Sequence, residues 1–144
     1  MGVLQVIEEE GLQENALNVG TNLIKGLTEI DSPFIGDVRG EGLMIGVELV
    51  STKSEPGSIV PLEREKVSDI FESIKNHGVL VGNVVKFSFS YLIKLGKYII
   101  CCFSGKGGLY GNVLRIKPPM CITVEDAEKC VEAIASSIKE SERK

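Results

Sequence analysis

The chain has 144 residues, of which 43% are hydrophobic and 25% are charged, and its formal net charge is −4. A chain of this length and composition can bury one hydrophobic core, so we expect one folded domain and exclude a disordered polymer. The acidic balance argues against nucleic acid or an anionic membrane as the main partner.

Nothing in the sequence predicts insertion into a membrane. The first residues, MGVLQVIEEEGLQEN, contain no basic stretch followed by an apolar run, so no targeting segment is visible. The acid-free region from Asn83 to Ser104 is interrupted by Lys86, Lys94 and Lys97. Each of these lysines would cost about 2.5–3.5 kcal/mol at the centre of a bilayer. We therefore expect no membrane-spanning segment.

The first half of the chain predicts helices followed by a strand. Apolar residues recur at steps of three and four from Leu12 to Ile30, which predicts an amphipathic helix that ends before Pro33. Residues 3–7 resemble the end of an earlier helix. From Leu43 to Leu49, apolar residues alternate with other residues, which predicts a strand next to three glycines that favour a tight connection.

The second half predicts two further helices and two short strands. Pro61 is suited to open a helix that runs to about His77, with Gly78 after its end. Residues 79–81 and 112–119 predict strands, the second of which is stopped by two prolines. Thr123 begins the last helix, with Asp126 three residues later as a weak form of the capping box.

This order of elements predicts the α+β class, with a small, mostly antiparallel sheet and helices packed on one face.

Cysteine and histidine carry no motif of their own. Cys101, Cys102, Cys121 and Cys130 do not have the spacing of a disulfide framework or a zinc site, which favours buried or unpaired thiols in a reducing compartment. His77 has no acid or nucleophile beside it in the sequence. We expect it to cap a helix or to be solvated, and we expect no metal site.

The segment GKGGLYG (105–111) does not match either nucleotide-binding motif. Tyr110 stands where a dinucleotide-binding fingerprint needs its third glycine, and Lys106 is followed by Gly107 instead of Ser or Thr. A glycine-rich turn between two strands is the interpretation that we adopt.

Arg115 is the residue with most chemical content. The alternating pattern places it on the strand face opposite Leu114 and Ile116, shortly before Pro118 and Pro119. A planar, permanently charged guanidinium on a strand can bind a carboxylate through two hydrogen bonds. The alternative is an arginine that is only solvated at a sheet edge.

Four blocks of the sequence together resemble a known family. They read VIEEEGLQENALNVGTNL, IGDVRGEGLMIGVELV, HGVLVG and KGGLYGNVLRIKPPMCIT. In this order they resemble the small C-terminal domain of class III (ornithine-type) aminotransferases, most closely the mitochondrial alanine–glyoxylate branch. The resemblance covers residues 1–144 except for 83–105.

The resemblance implies pyridoxal phosphate as cofactor, an amino acid and a 2-oxo acid as substrates, a homo-oligomer and a mitochondrial location. It also implies that Arg115, the arginine of the R-x-x-P-P pattern, binds the substrate carboxylate. No catalytic or cofactor-binding residue of the family has a match in this chain. The large domain with the Schiff-base lysine would lie upstream of Met1, and we expect the isolated chain to be a fragment without transaminase activity.

Two other functions stay open at this point. The chain could be a non-enzymatic module that pairs with intact aminotransferase subunits or with another protein. It could also be a small module that binds a ligand through Arg115.

Residues 83–105 interrupt the family pattern, since deleting them joins HGVLVG directly to KGGLYGN. One hypothesis is a retained intron translated in frame, because both boundaries are compatible with splice-site codons. The other is a genuine lineage-specific loop. The alternation of Phe87, Phe89 and Tyr91 with serines is prone to β-aggregation, which predicts poor solubility unless a partner covers it.

Overall fold

A computed structural model describes residues 2–52, 60–82 and 99–143. These residues form four helices and six strands. In chain order the elements are α1 (Val3–Glu9), α2 (Leu12–Thr28), β1 (Ile35–Glu41), β2 (Met44–Thr52), β3 (Val60–Pro61), α3 (Arg64–Asn76), β4 (Val79–Gly82), β5 (Ile99–Gly107), β6 (Val113–Ile116) and α4 (Val124–Glu142). The predicted α+β class is confirmed.

The strands form one sheet in the order β1-β2-β6-β5-β4, and the two-residue strand β3 pairs with β2 beside this path. Every described pair of neighbouring strands is antiparallel except β4 and β5, which are parallel. Because β1 and β2 are antiparallel, two residues suffice to connect them between the paired residues Glu41 and Met44. The prediction of a mostly antiparallel sheet is confirmed.

Helices α2, α3 and α4 pack against one face of this sheet and form a single core with it. The sheet contributes alternate residues of its middle strands, and the register sets Ile45 opposite Ile116 and Val47 opposite Leu114. Burying each such side chain contributes about 1.5–3 kcal/mol. The fully buried members from the helices include Leu23, Leu27, Ile70, Ile74, Ile134 and Ile138.

One close contact fixes α2 against the hairpin of β1 and β2. A Cβ atom added at Gly20 would lie 2.0 Å from the carbonyl oxygen of Gly42, so helix and turn can approach this closely only without a side chain there. A glycine inside a helix costs about 1 kcal/mol relative to alanine. The close packing offsets this cost.

The helix ends test the local predictions. The last helix begins as expected, since the Asp126 N–H donates to Thr123 Oγ1 at 3.2 Å. Gly78 follows α3 with a φ of 84°, as predicted for the residue after a helix end. The predicted start of α3 at Pro61 is wrong, because the helix begins at Arg64. Pro61 instead pairs with Val50 in the sheet, a tertiary contact that overrides its preference for a first helical turn.

The predicted insertion is more than a connection, because its last residues, 99–105, belong to β5 between β4 and β6. The glycine-rich turn predicted for residues 105–111 is shorter than expected, because residues 105–107 belong to β5. The turn occupies residues 108–111, where Gly108 and Gly111 have φ angles of 80° and 71°. The aggregation-prone run 87–91 lies outside the described residues. No helix in the described ranges is long and apolar enough to cross a membrane.

Candidate functional site

The candidate site lies on the face of the sheet that points away from α2, α3 and α4, which we call the open face. Strand register places three residues in one row across it: Arg39 of β1, Gly46 of β2 and Arg115 of β6. Gly46 therefore lies between two arginine-bearing strands. Its missing side chain leaves the space between the two arginines unfilled.

Arg39 is held by two acids of the adjacent row. Its Nη1 atom donates to Asp37 Oδ2 at 2.7 Å and to Glu48 Oε2 at 2.8 Å. The hydrogen bond to Asp37 raises the pKa of Arg39 above its ordinary value, and the hydrogen bond to Glu48 adds to this effect. With two carboxylates beside one guanidinium, this cluster does not offer a free positive charge to an anion.

Arg115 has a different environment. It is exposed on β6, whereas its strand neighbours Leu114 and Ile116 are 0% exposed. Its aliphatic stem lies over Gly107, where an added Cβ would come within 2.5 Å of Arg115 Cδ and 2.8 Å of Cγ. In the described part of the chain no acid forms an ion pair with it. Its guanidinium is thus supported by the sheet and open to an anion.

A shallow depression of about 250 Å³ connects the two arginines. Lys117 follows Arg115 by two residues and adds a second positive charge without an ion-pair partner among residues 2–52, 60–82 and 99–143. Met44, with 63% of its surface exposed, supplies an apolar wall. The lining consists of Arg39, Met44, Ile45, Gly46, Arg115 and Lys117. This arrangement suits a small anion that carries a short apolar group.

His77 lies at a different place, where the end of α3 meets α4. Its Nδ1 atom is 2.9 Å from the carbonyl oxygen of Ser73 and 3.4 Å from Ser137 Oγ, and its Nε2 atom is 3.5 Å from Glu140 Oε1. Ser137 is 0% exposed and donates to the carbonyl oxygen of Ala133, so it is not an accessible nucleophile. The contacts make His77 a link between two helices, at the helix end where the sequence placed it.

Two of the four cysteines have described side chains. Cys121 is exposed and Cys130 is buried in the core. No group of three or more potential metal ligands occurs in the part of the chain that the structure describes.

The sequence identified Arg115 but missed Arg39 and Lys117. The signal was present in part, because Gly40 and Gly42 predicted a tight connection that would bring residues 35–41 beside the strand that follows. The cross-strand register then aligns Arg39 with Gly46. Glu140 could not be connected to His77 from sequence, because their contact depends on how two separate helices pack.

Fold and site together define an α+β domain with a cationic depression on the uncovered face of its sheet. The chain belongs to the class III aminotransferases, since the family model "Aminotransferase class-III" matches residues 1–102. This confirms the resemblance that the sequence blocks indicated.

Individual relatives agree with this assignment. The mitochondrial alanine–glyoxylate aminotransferase 2 homolog 2 of Arabidopsis thaliana is 41% identical over 140 residues, which are 96% of this chain and 24% of that protein. Human mitochondrial alanine–glyoxylate aminotransferase 2 is 37% identical and matches 94% of this chain and 22% of its own length. An alanine/serine racemase of Pyrococcus horikoshii is 36% identical, covering 96% of this chain and 23% of the racemase.

Solved structures share the fold. A Bacillus anthracis aminotransferase superposes with a TM-score of 0.71 at 25% identity and covers 95% of this chain and 26% of its own. A transaminase solved with L-alanine gives a TM-score of 0.69 at 26% identity, with coverage of 97% and 26%. The chain therefore spans about a quarter of the length of the relatives that it matches.

Class III aminotransferases generally depend on pyridoxal phosphate, so we tested whether the described residues fit this cofactor. A lysine that forms a Schiff base must reach the cofactor aldehyde and is normally desolvated. Every lysine whose side chain is described is exposed or only partly buried: Lys25, Lys66, Lys75, Lys117, Lys129 and Lys139. These residues do not form a cofactor site by themselves.

Proposed function

We propose that this chain is the small domain of a pyridoxal-phosphate-dependent aminotransferase of the alanine–glyoxylate type, and that Arg115 binds the substrate carboxylate. The observation that carries the proposal is the contrast on the open face. Arg39 is paired with Asp37 and Glu48, whereas Arg115 in the same row has no ion-pair partner within the described ranges.

The chemistry of the depression supports a carboxylate as ligand. A guanidinium can donate two parallel hydrogen bonds to the two oxygens of a carboxylate, which fixes the orientation of the bound molecule as well as its position. Lys117 strengthens the local positive charge as a point charge without such geometry. Met44 then faces the short side chain of the bound molecule.

The names of the relatives support a small amino acid as the substrate class. Alanine occurs in the names of the Arabidopsis and human aminotransferases and of the Pyrococcus racemase, and L-alanine is present in one of the solved transaminases. The racemase and the aminotransferases differ in their named reactions and share alanine. We therefore assign alanine as the amino donor and glyoxylate as the 2-oxo acid acceptor, and we extend to this chain a mitochondrial location and a homo-oligomeric full-length enzyme.

The isolated chain should have no transaminase activity. None of the lysines whose side chains are described has the burial expected of a Schiff-base residue. A purified 144-residue chain mixed with pyridoxal phosphate, alanine and glyoxylate should release no pyruvate above the rate without protein. Measurable turnover would contradict this part of the proposal.

The role of Arg115 can be tested in a chimera in which this chain replaces the matching quarter of the Arabidopsis relative. Arg115→Leu and Arg115→Lys should each raise the KM for alanine at least about tenfold, which corresponds to about 1.4 kcal/mol of lost binding free energy. Lysine is included because it keeps the charge and loses the two-point geometry. The amount of bound cofactor should not change. An unchanged KM would refute the role.

A second measurement covers a chimera that does not fold. In the 144-residue chain, titration with propionate should shift the NMR signals of the Arg115 guanidinium and of the Gly46 and Gly107 amides. The Arg115→Leu variant should lose the shifts at both glycines. Lys129→Leu, a substitution of an exposed lysine on α4, is the matched control and should leave them unchanged.

A second candidate function is a non-enzymatic module that pairs with intact aminotransferase subunits. The observation that favours it is the exposed apolar surface at the turn after β5, where Leu109 and Tyr110 are 87% and 56% exposed. This function predicts that the chain co-purifies with full-length subunits and that Leu109→Ser combined with Tyr110→Ser prevents it. A chain that elutes alone at all concentrations would exclude this role.

A further inference from the structure

Strand β5 separates β4 from β6, although β4 and β6 are close together in the sequence pattern that remains when residues 83–105 are deleted. It lies between β6, to which it is antiparallel, and β4, to which it is parallel. Because β4 and β5 run in the same direction, either of them could pair with β6 in the same antiparallel sense. The parallel register sets Val79 level with Ile99, Val81 with Phe103 and Gly82 with Ser104.

The pairing of β5 with β6 contains one residue too many. Phe103 lies opposite Ile116 and Lys106 lies opposite Leu114, so three steps along β5 correspond to two steps along β6. Such an extra residue is a β-bulge, which locally disrupts a ladder. The irregularity falls at Ser104 and Gly105, the last two residues of the predicted insertion.

We propose that residues 83–105 are a removable insert whose described residues, 99–105, supply most of β5, and that a chain without residues 83–105 forms the same sheet with β4 directly beside β6. Removal of these 23 residues joins Gly82 to Lys106. Lys106 keeps its place opposite Leu114, and counting back two residues then places Val81 opposite Ile116. Val81 thus takes the backbone position that Phe103 holds now, and the ladder becomes regular.

The same count gives Arg115 a defined neighbour. In the shortened chain Gly82 lies opposite Arg115, where the longer chain has the bulge of Ser104 and Gly105. A glycine at that position leaves the open face clear for the arginine side chain, as Gly107 already does. The insert therefore changes the strand that borders the candidate site but does not remove the site.

The rearrangement is small. It moves β4 sideways by one strand spacing, about 4.8 Å, without reversing its direction. Helix α3 must follow, since only His77 and Gly78 connect it to β4. The contacts of Ser73 and His77 with Glu140 of α4 are then remade. The family pattern delimits residues 83–105 and the strand register supplies the new pairing, so the insert is independent of the function proposed for Arg115.

The test compares the 144-residue chain with a chain that lacks residues 83–105, by isotope-edited NMR. In the shortened chain, directly opposite residues of antiparallel strands have Cα atoms about 4.5–5.5 Å apart, so nuclear Overhauser effects should connect the backbones of Val81 and Ile116. In the longer chain two strand spacings, about 9.6 Å, separate them, and the contacts should be Val81–Phe103 and Phe103–Ile116.

The shortened chain alone shows whether β4 pairs with β6 when residues 83–105 are absent. A folded shortened chain with the Val81–Ile116 contact supports the insert. A shortened chain that is unfolded, or that folds without this contact, overturns it.

A matched control removes residues 82–105, one residue more. It places Leu80 opposite Ile116 and transfers every side chain of residues 79–81 to the other face of the sheet. Its thermal midpoint should be lower than that of the 23-residue deletion by about 4 °C or more, and the Val81–Ile116 contact should be absent. If both deletions show the same contact and the same midpoint, the register argument is wrong.

Discussion

The two faces of the sheet differ in composition although the same strands form them. On β6, Leu114 and Ile116 are fully buried against the helices, whereas Arg115 between them is exposed. On β2, Val47 is fully buried, and the next residue, Glu48, forms an ion pair with Arg39 on the open face. Neighbours in the sequence therefore belong to different physical environments.

This difference separates stability from recognition. Apolar side chains on the covered face lose contact with water and supply the free energy of folding. Asp37, Arg39 and Arg115 on the open face remain exposed to water, so they contribute little to folding. Arg115, which has no ion-pair partner in the described ranges, can bind an anion. A substitution on one face should change the free energy of unfolding, and a substitution on the other should change ligand binding.

The largest effect is expected from two adjacent residues of β6. Leu114→Ala removes a side chain that is 0% exposed and should lower the free energy of unfolding by about 2–5 kcal/mol. Arg115→Ala should lower it by about 0.5 kcal/mol or less, as for most surface substitutions. Urea denaturation of both variants measures the difference. Equal losses would break the distinction between the faces.

A second experiment weakens anion binding without replacing Arg115 itself. In the chimera, Gly107→Ala places a methyl group where the stem of Arg115 lies, within 2.5 Å of its Cδ atom. The arginine must move, and the KM for alanine should rise at least about tenfold. Gly2→Ala is the matched control, because nothing lies within 4 Å of its added Cβ and Gly2 lies outside the depression. If both variants raise the KM equally, the position of Arg115 is not responsible.

A third substitution tests the N-terminal end of α4, one of the helices on the covered face of the sheet. Thr123→Ala removes the hydrogen bond that caps α4 and should cost about 1 kcal/mol of stability. Thr123→Ser keeps the hydroxyl and should retain most of it. Neither variant should alter binding of propionate to the isolated chain. A binding defect in Thr123→Ala would mean that the two faces are coupled through α4.

The sequence predicted the buried and exposed faces correctly where the residues of a single helix or strand determine them. The apolar periodicity of α2, the alternation in β2 and the cap at Thr123 depend on residues within a few positions of each other. Pro61 was assigned wrongly because its partner Val50 belongs to another strand. Strand β5 lies in a segment where no family pattern was available, and the charge cluster around Arg39 depends on the register between two strands. Contacts between separate elements are what the single sequence leaves undetermined.

The smallest effect is expected at Arg39. Glu48→Gln removes one of its two carboxylate partners, and because half of the arginine side chain is exposed, the loss of stability should be only about 0.2–1 kcal/mol. The loss should shrink as salt is raised from 0.1 M to 1 M, since the screening length falls from about 10 Å to about 3 Å.

Asp37→Asn is the companion variant, and the double substitution should free Arg39 to act as a second guanidinium beside Arg115. In the NMR titration the double variant should then bind succinate more tightly than propionate, whereas the unaltered chain should bind the two with affinities within about threefold. If the affinity of the double variant for succinate does not increase, Arg39 does not face the depression. Arg39, Gly46 and Arg115 would then not form one binding site.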